Sequence, residues 1–336
     1  LPIREFLDGL LTSGDIIGQM AALVLLGWLV TRRGWIGPGT LSDLTRVLID
    51  LVIPCTFILA MVRSFTPDYL GSGVVLAGVS GGWVICAWIL GTLWFRLFPS
   101  GIPSRDRSVT AMMMVSNSLY LPLPVMLAVT PEPMHDRAVL YISMVALPSI
   151  VANWTAGVAL LSGGPRPSPR ERLRLVLNAP ILSLFLGIAL SFVPGAREAA
   201  RGDPGAFIPA RALFSVMDHL NRILSPLAML ILGGMIASGR GDGRVRLRFS
   251  VPLIAVRLVL IPAGVYLLLR NVPTGLPALA GTALLLAAAA PPATNHALIA
   301  RRYNGEWELV SRLQLVVHAA ALLTLPVWLS LGLGFR

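Results

Sequence analysis

The chain has 336 residues and a formal net charge of +11; apolar residues make up 55% of it and charged residues only 13%, with a mean hydropathy of +0.77. A soluble domain carries roughly 25% charged residues, so this composition excludes a water-soluble globular protein and describes a polytopic membrane protein. The charge does not point to nucleic acid, because all 27 basic residues are arginines and their clusters fall between apolar runs rather than along one groove or helix.

A membrane-crossing helix needs roughly 20 apolar residues. The hydropathy pattern predicts ten spans, at about 14–31, 42–63, 72–97, 107–130, 137–161, 178–194, 211–238, 248–270, 276–300 and 309–334. Ahead of the first, residues 1–10 read as a short interfacial amphipathic turn. The acidic Glu5 and Asp8 are unlike the positive start of a cleavable signal peptide. In span two, Asp50 lies four residues before Pro54. A carboxylate at that depth costs at least ~2.5 kcal/mol and can carry a proton, hold a cation, join a structural pair or face an aqueous vestibule. Cys55 and Cys86 fall in apolar segments without metal or redox spacing and read as buried small hydrophobes.

Span four is interrupted by Ser-Asn-Ser-Leu-Tyr-Leu-Pro-Leu-Pro over residues 116–124, and span nine by Pro-Pro-Ala-Thr-Asn-His over 291–296. Proline removes a backbone donor and clashes with the preceding turn, so both helices are predicted to open there. An opened backbone at membrane depth survives only inside protein or beside a water-filled cavity. Broken segments at matching places in two halves point to a transporter's binding site. Asn117, with Ser116 and Tyr120 beside it, and Asn295, with Thr294, Pro291 and Pro292, are therefore the candidate substrate-binding residues. Amide donors and helix N-termini suit a carboxylate there. The alternative is that both asparagines only tie off backbone groups freed by the prolines.

Further along, Asn153 and Thr155 in span five either line a polar path or hydrogen-bond between helices, and span six is short. Arg257 in span eight can pair with Asp50, attract an anion or bond to freed carbonyls, an internal structural partner ranking first. Gln314 and His318, one turn apart in span ten, line a polar path or bond between helices. Asp50, Arg257, His318 and Gln314 are the candidate coupling or gating residues. His135 and His219 read as loop or rim residues. Ten spans divide into two fives of opposite orientation, with Pro54 and Pro226 in spans two and seven and the breaks in four and nine, the pattern of an inverted repeat. Seventeen arginines lie in loops after odd-numbered spans and nine on the other side, which places odd loops in the cytosol and both termini outside it. There is no phosphate loop with lysine, no paired-histidine metal motif and no nucleophile elbow, so an enzyme, a cofactor or a metal is not expected.

Four stretches resemble the auxin efflux carrier family, which includes plant PIN-type exporters and bacterial malate or malonate permeases. They are Gly27–Val30 through Gly34 with Leu51–Pro54; Ser116–Ser118 with Pro122 and Pro124; Leu232–Gly234; and Pro291–Asn295 followed by Ala300–Tyr303 and Leu325–Trp328. The resemblance implies an all-α membrane protein of ten helices in two inverted five-helix repeats, with helices four and nine unwound and crossing at mid-membrane. It implies a scaffold (1–70 and 178–240) that dimerises and a moving transport domain (71–177 and 241–336). It also implies a small carboxylate bound beside Asn117 and Asn295, elevator-type alternating access, and residence in a bacterial inner membrane. Asp50 departs from the family pattern, in which that position is more often uncharged, and directs attention to proton or sodium coupling. The competing expectation is a cation-coupled symporter or antiporter of related crossover architecture. A proton antiporter would carry carboxylates at the crossover, and neither break contains one. A receptor or membrane enzyme is the reading from a different class.

Overall fold

The computed structural model describes residues 3–164, 168, 170–171, 173, 177–238 and 247–335, with side chains from Gly18 onward except Leu298. The expectations that rest on Arg166, Arg172, Arg174, Arg240, Arg244, Arg246 and Arg336 lie outside the described residues. Among the described residues there is no strand, only one isolated antiparallel bridge, between Ser116 and Pro292.

The helices in chain order are α1 (Ile3–Arg32), α2 (Pro38–Ser64), α3 (Tyr69–Leu97), α4 (Pro103–Met114), α5 (Pro122–Val129), α6 (Glu132–Leu161), α7 (Ala179–Ser191), α8 (Ala196–Arg201), α9 (Ile208–Ser238), α10 (Leu247–Asn271), α11 (Ala278–Ala288), α12 (His296–Arg302) and α13 (Trp307–Leu333). Among the described residues, six helices, α2, α3, α6, α9, α10 and α13, are long and apolar enough to cross a membrane. Shorter apolar helices cover Gly18–Arg32, Ala179–Ser191 and Ala278–Ala288. The expected interfacial turn over residues 1–10 is not separate: from Ile3 the backbone is continuous with α1. The two predicted breaks are present, as the gaps between α4 and α5 and between α11 and α12.

Proline shapes several helices. In α2 the turn Leu48–Val52 is widened to π geometry just before Pro54, whose missing N–H would otherwise have met the carbonyl of Asp50. In α10 a π-turn over Ala255–Leu260 precedes Pro262. The Leu258 carbonyl which that proline leaves free accepts a hydrogen bond from Trp328 Nε1 at 2.9 Å. A third π-turn, Asn153–Gly157, lies in α6 beyond Pro148. One extra residue per turn re-aims the side chains that follow.

Packing splits the cysteines. Cys55 is buried, as expected, but Cys86 is exposed on α3 beside the exposed Ile85, Trp88 and Ile89. The expectation that it is buried fails because an apolar face toward lipid and one toward the core have the same composition. Helix α1 lies against the C-terminal half of α9 so closely that a Cβ at Gly27 would fall on the Leu230 carbonyl, and one at Gly233 on the Val24 carbonyl. Backbone cannot give way as a side-chain end can. Gly233→Ala is therefore expected to lower stability by at least about 1–3 kcal/mol, read as an earlier thermal unfolding midpoint of the purified protein; unaltered unfolding would show that the helices can separate cheaply.

At the end of α2, Arg63 donates to the Ala200 carbonyl (2.9 Å) and to Asp218 Oδ1 (3.0 Å), and lies 3.8 Å from Asp136 Oδ1 at the start of α6. Elsewhere Glu306, just ahead of α13, accepts from Ser104 Oγ at 2.7 Å and Arg105 Nε at 3.3 Å in α4. The Gly163 N–H, past the end of α6, donates to the Tyr303 carbonyl at 3.0 Å. These contacts join α4 and α6 to the segment around α12.

Candidate functional site

The two breaks meet. Ser116 pairs with Pro292, the Asn117 N–H donates to the Pro291 carbonyl at 2.7 Å, and the Ala293 N–H donates to the Val115 carbonyl at 3.2 Å. Groups that proline and the opened turns deprive of helical partners must be satisfied elsewhere; two of these bonds cross the junction and side chains supply others. Gln314 Nε2 donates to the Ala293 carbonyl at 2.6 Å. Arg257, wholly buried, donates through Nε to the Ala290 carbonyl (3.0 Å) and through Nη2 to the Ala288 carbonyl (2.7 Å). It caps the C-terminal end of α11, where carbonyls are orphaned and a positive charge is favoured. Of the three partners considered for Arg257, freed carbonyls are the one observed; Asp50 is not its partner.

Beside the junction lies a cavity of about 380 Å³, lined among others by Asp50, Ser116, Asn117, Ser118, Tyr120, Ser149, Asn153, Trp154, Asn178, Asn295, Arg302 and Tyr303. Of the residues expected to hold substrate, Ser116, Asn117, Tyr120 and Asn295 line it. Pro291, Pro292 and Thr294 do not line it; the two prolines form the seam beneath it. Asn117 Oδ1 accepts the Tyr120 N–H at 3.2 Å. That is the tying-off role weighed against binding, and it also fixes the amide: the oxygen is occupied, so the –NH2 is what Asn117 can offer a ligand. Asn295 Oδ1 has no partner, so Asn295 does not tie off backbone through that oxygen.

Asp50 sits in the π-turn of α2 with its side chain 55% exposed, 3.7 Å from Arg46 one turn earlier. It faces the cavity rather than packed hydrocarbon, which removes most of the burial cost expected for a mid-span carboxylate. Gln314 and His318 do not line the cavity. Gln314 bonds to the junction and His318 Nδ1 to the Gln314 carbonyl at 2.8 Å, which is the interhelical alternative for Gln314. His135 and His219 bond to nearby carbonyls of Thr130 and Ser215. Thr155 bonds back to Val151 in its own helix at 2.7 Å, while Asn153 lines the cavity. Ser149 and Trp154 carry no mark in the sequence that sets them apart from other residues of an apolar helix, and Arg302 belongs to the Ala300–Tyr303 stretch of the resemblance without being a predicted site residue. A separate, more open groove of about 470 Å³ runs past Trp94, Phe98, Arg248 and Pro252 and shares no residue with the junction.

Helices of spanning length, together with two interrupted segments joined beside a cavity, are the pattern of a membrane transport protein. The sequence profile of the family described as "Membrane transport protein" matches residues 17–168 and 168–329, and the chain belongs to this auxin efflux carrier, PIN-like family. It is an integral membrane protein. Among curated proteins it is similar to Protein PIN-LIKES 7 of Arabidopsis thaliana, 29% identical over 183 residues. That match covers 52% of this chain and 46% of the relative, so the alignment spans about half the length of the relative it matches.

Proposed function

We propose that this protein carries small organic anions, mono- or dicarboxylates, across a bacterial inner membrane. The carrying observation is the Asn117 amide: its oxygen accepts the Tyr120 N–H, which leaves its –NH2 as a donor on the cavity wall. On this reading α4–α5 and α11–α12 are the broken fourth and ninth of ten spans, crossing at mid-membrane in two inverted five-helix repeats. One match of the family profile over each half supports the repeat. Residues 1–70 and 178–240 form a scaffold that pairs as a homodimer, and 71–177 with 241–336 form the moving unit. The contacts of Glu306 with α4 and of Tyr303 with Gly163 support treating that unit as one body.

The cavity lining includes Arg302 and Asn178, at segment ends that the arginine bias assigns to the cytosol, with both termini outside. The Arg63–Asp218–Asp136 cluster lies at the opposite end of α2. On this reading the conformation is inward-facing, and transport moves the α3–α6 and α10–α13 unit against the scaffold. The test is counterflow of labelled carboxylates in proteoliposomes. Trans-stimulated uptake supports the carrier; ligand binding without flux would make the protein a receptor instead.

The position of Asp50 on the cavity wall favours one second reading, cation-coupled transport by proton or sodium. Asp50→Asn is then expected to flatten the pH or sodium dependence of uptake under imposed gradients. The same dependence in wild type and variant would remove Asp50 from coupling.

A further inference from the structure

Two side-chain oxygens on the α6 wall of the cavity have no hydrogen-bond partner. Ser149 is 2% exposed and Asn153 4% exposed. Both line the cavity, they stand one turn apart on the same helix face, and neither Ser149 Oγ nor Asn153 Oδ1 has a hydrogen-bond partner. Buried polar groups are nearly always paired, and each exception asks for an explanation. Other hydroxyls of α6 and its end show the usual solution: Ser143 bonds back to Val139 at 2.6 Å, Thr155 to Val151 at 2.7 Å and Ser162 to Val158 at 2.6 Å. Ser149 does not. Asn153 opens the π-turn Asn153–Gly157, a local widening that recurs at functional sites.

We infer that Ser149 and Asn153 form a neutral polar subsite of the cavity that takes a hydroxyl group of the transported anion. A hydroxyl and an amide together offer donors and acceptors without net charge, which suits a group that also both donates and accepts. The inference rests on the anion-carrier reading and adds to it: the carboxylate is held at the junction of the breaks, and the 2-hydroxy group of the same solute is read by α6. A site built to pair with a substrate hydroxyl discriminates against the analogue lacking it, because its own buried groups are then left unpaired.

The experiment is counterflow with two matched pairs, propionate with lactate and succinate with malate. Wild type is expected to show a KM for the hydroxylated member lower by roughly tenfold. Asn153→Leu and Ser149→Ala should each bring that ratio toward one. Carboxylate transport without a hydroxyl preference in wild type overturns the subsite and leaves the carrier reading standing. So does a preference retained by both variants, or an equal loss of both members of each pair in both variants. Transport of none of the four solutes by wild type sinks the carrier reading for these acids, and this inference with it.

Discussion

Asn117→Ala and Asn295→Ala are each expected to reduce labelled carboxylate uptake into proteoliposomes by roughly 10–100-fold, the scale of a lost hydrogen bond to a charged group. Asn117 has two tasks, so alanine there is ambiguous alone: it also removes the acceptor of the Tyr120 N–H, worth about 1 kcal/mol of stability. Asn117→Asp separates the tasks. Aspartate accepts the Tyr120 N–H as well as asparagine does, but it replaces the donor with a negative charge that repels an anion. Uptake should therefore fall further than with alanine while thermal unfolding stays near wild type. Asn295→Ala is simpler, because its Oδ1 satisfies nothing in the fold and its removal should cost little stability. Wild-type uptake by both alanine variants would refute the assignment of the site.

The second large effect is at Arg257. Arg257→Leu leaves the carbonyls of Ala288 and Ala290 without their donors, in a region where Ala288 and Ala290 are themselves fully buried. Each unpaired buried group costs about 1–3 kcal/mol, so the unfolding midpoint of the detergent-purified variant should fall sharply. Arg257→Lys should recover only part of the loss, since a single ammonium lacks the forked geometry that reaches two carbonyls. A leucine variant as stable as wild type would mean that the end of α11 does not depend on this cap.

Local chemistry made some features legible in the sequence. Proline beside asparagine in an apolar run located both breaks, because no tertiary contact restores a missing backbone donor. Arg257 was visible as a cation needing an internal partner, and freed carbonyls stood among its three candidate partners; which of the three it meets depends on packing. The exposure of Cys86 was not legible either: lipid-facing and core-facing surfaces draw on the same residues. Ser149 and Asn153 look like ordinary interhelical polar residues until their neighbours are seen to leave them unpaired. The π-turns before Pro54 and Pro262 follow from the prolines in kind, but which side chains they re-aim depends on packing.

The seam between the interrupted helices is stitched through main-chain atoms of Val115, Asn117, Pro291 and Ala293. Such stitches are indifferent to what hangs from the neighbouring Cα atoms. On the proposed carrier reading, an engineer, or evolution, can therefore rewrite the wall at Tyr120, Ser149, Asn153 or Trp154 and change the preferred cargo without unpicking the joint that makes room for it.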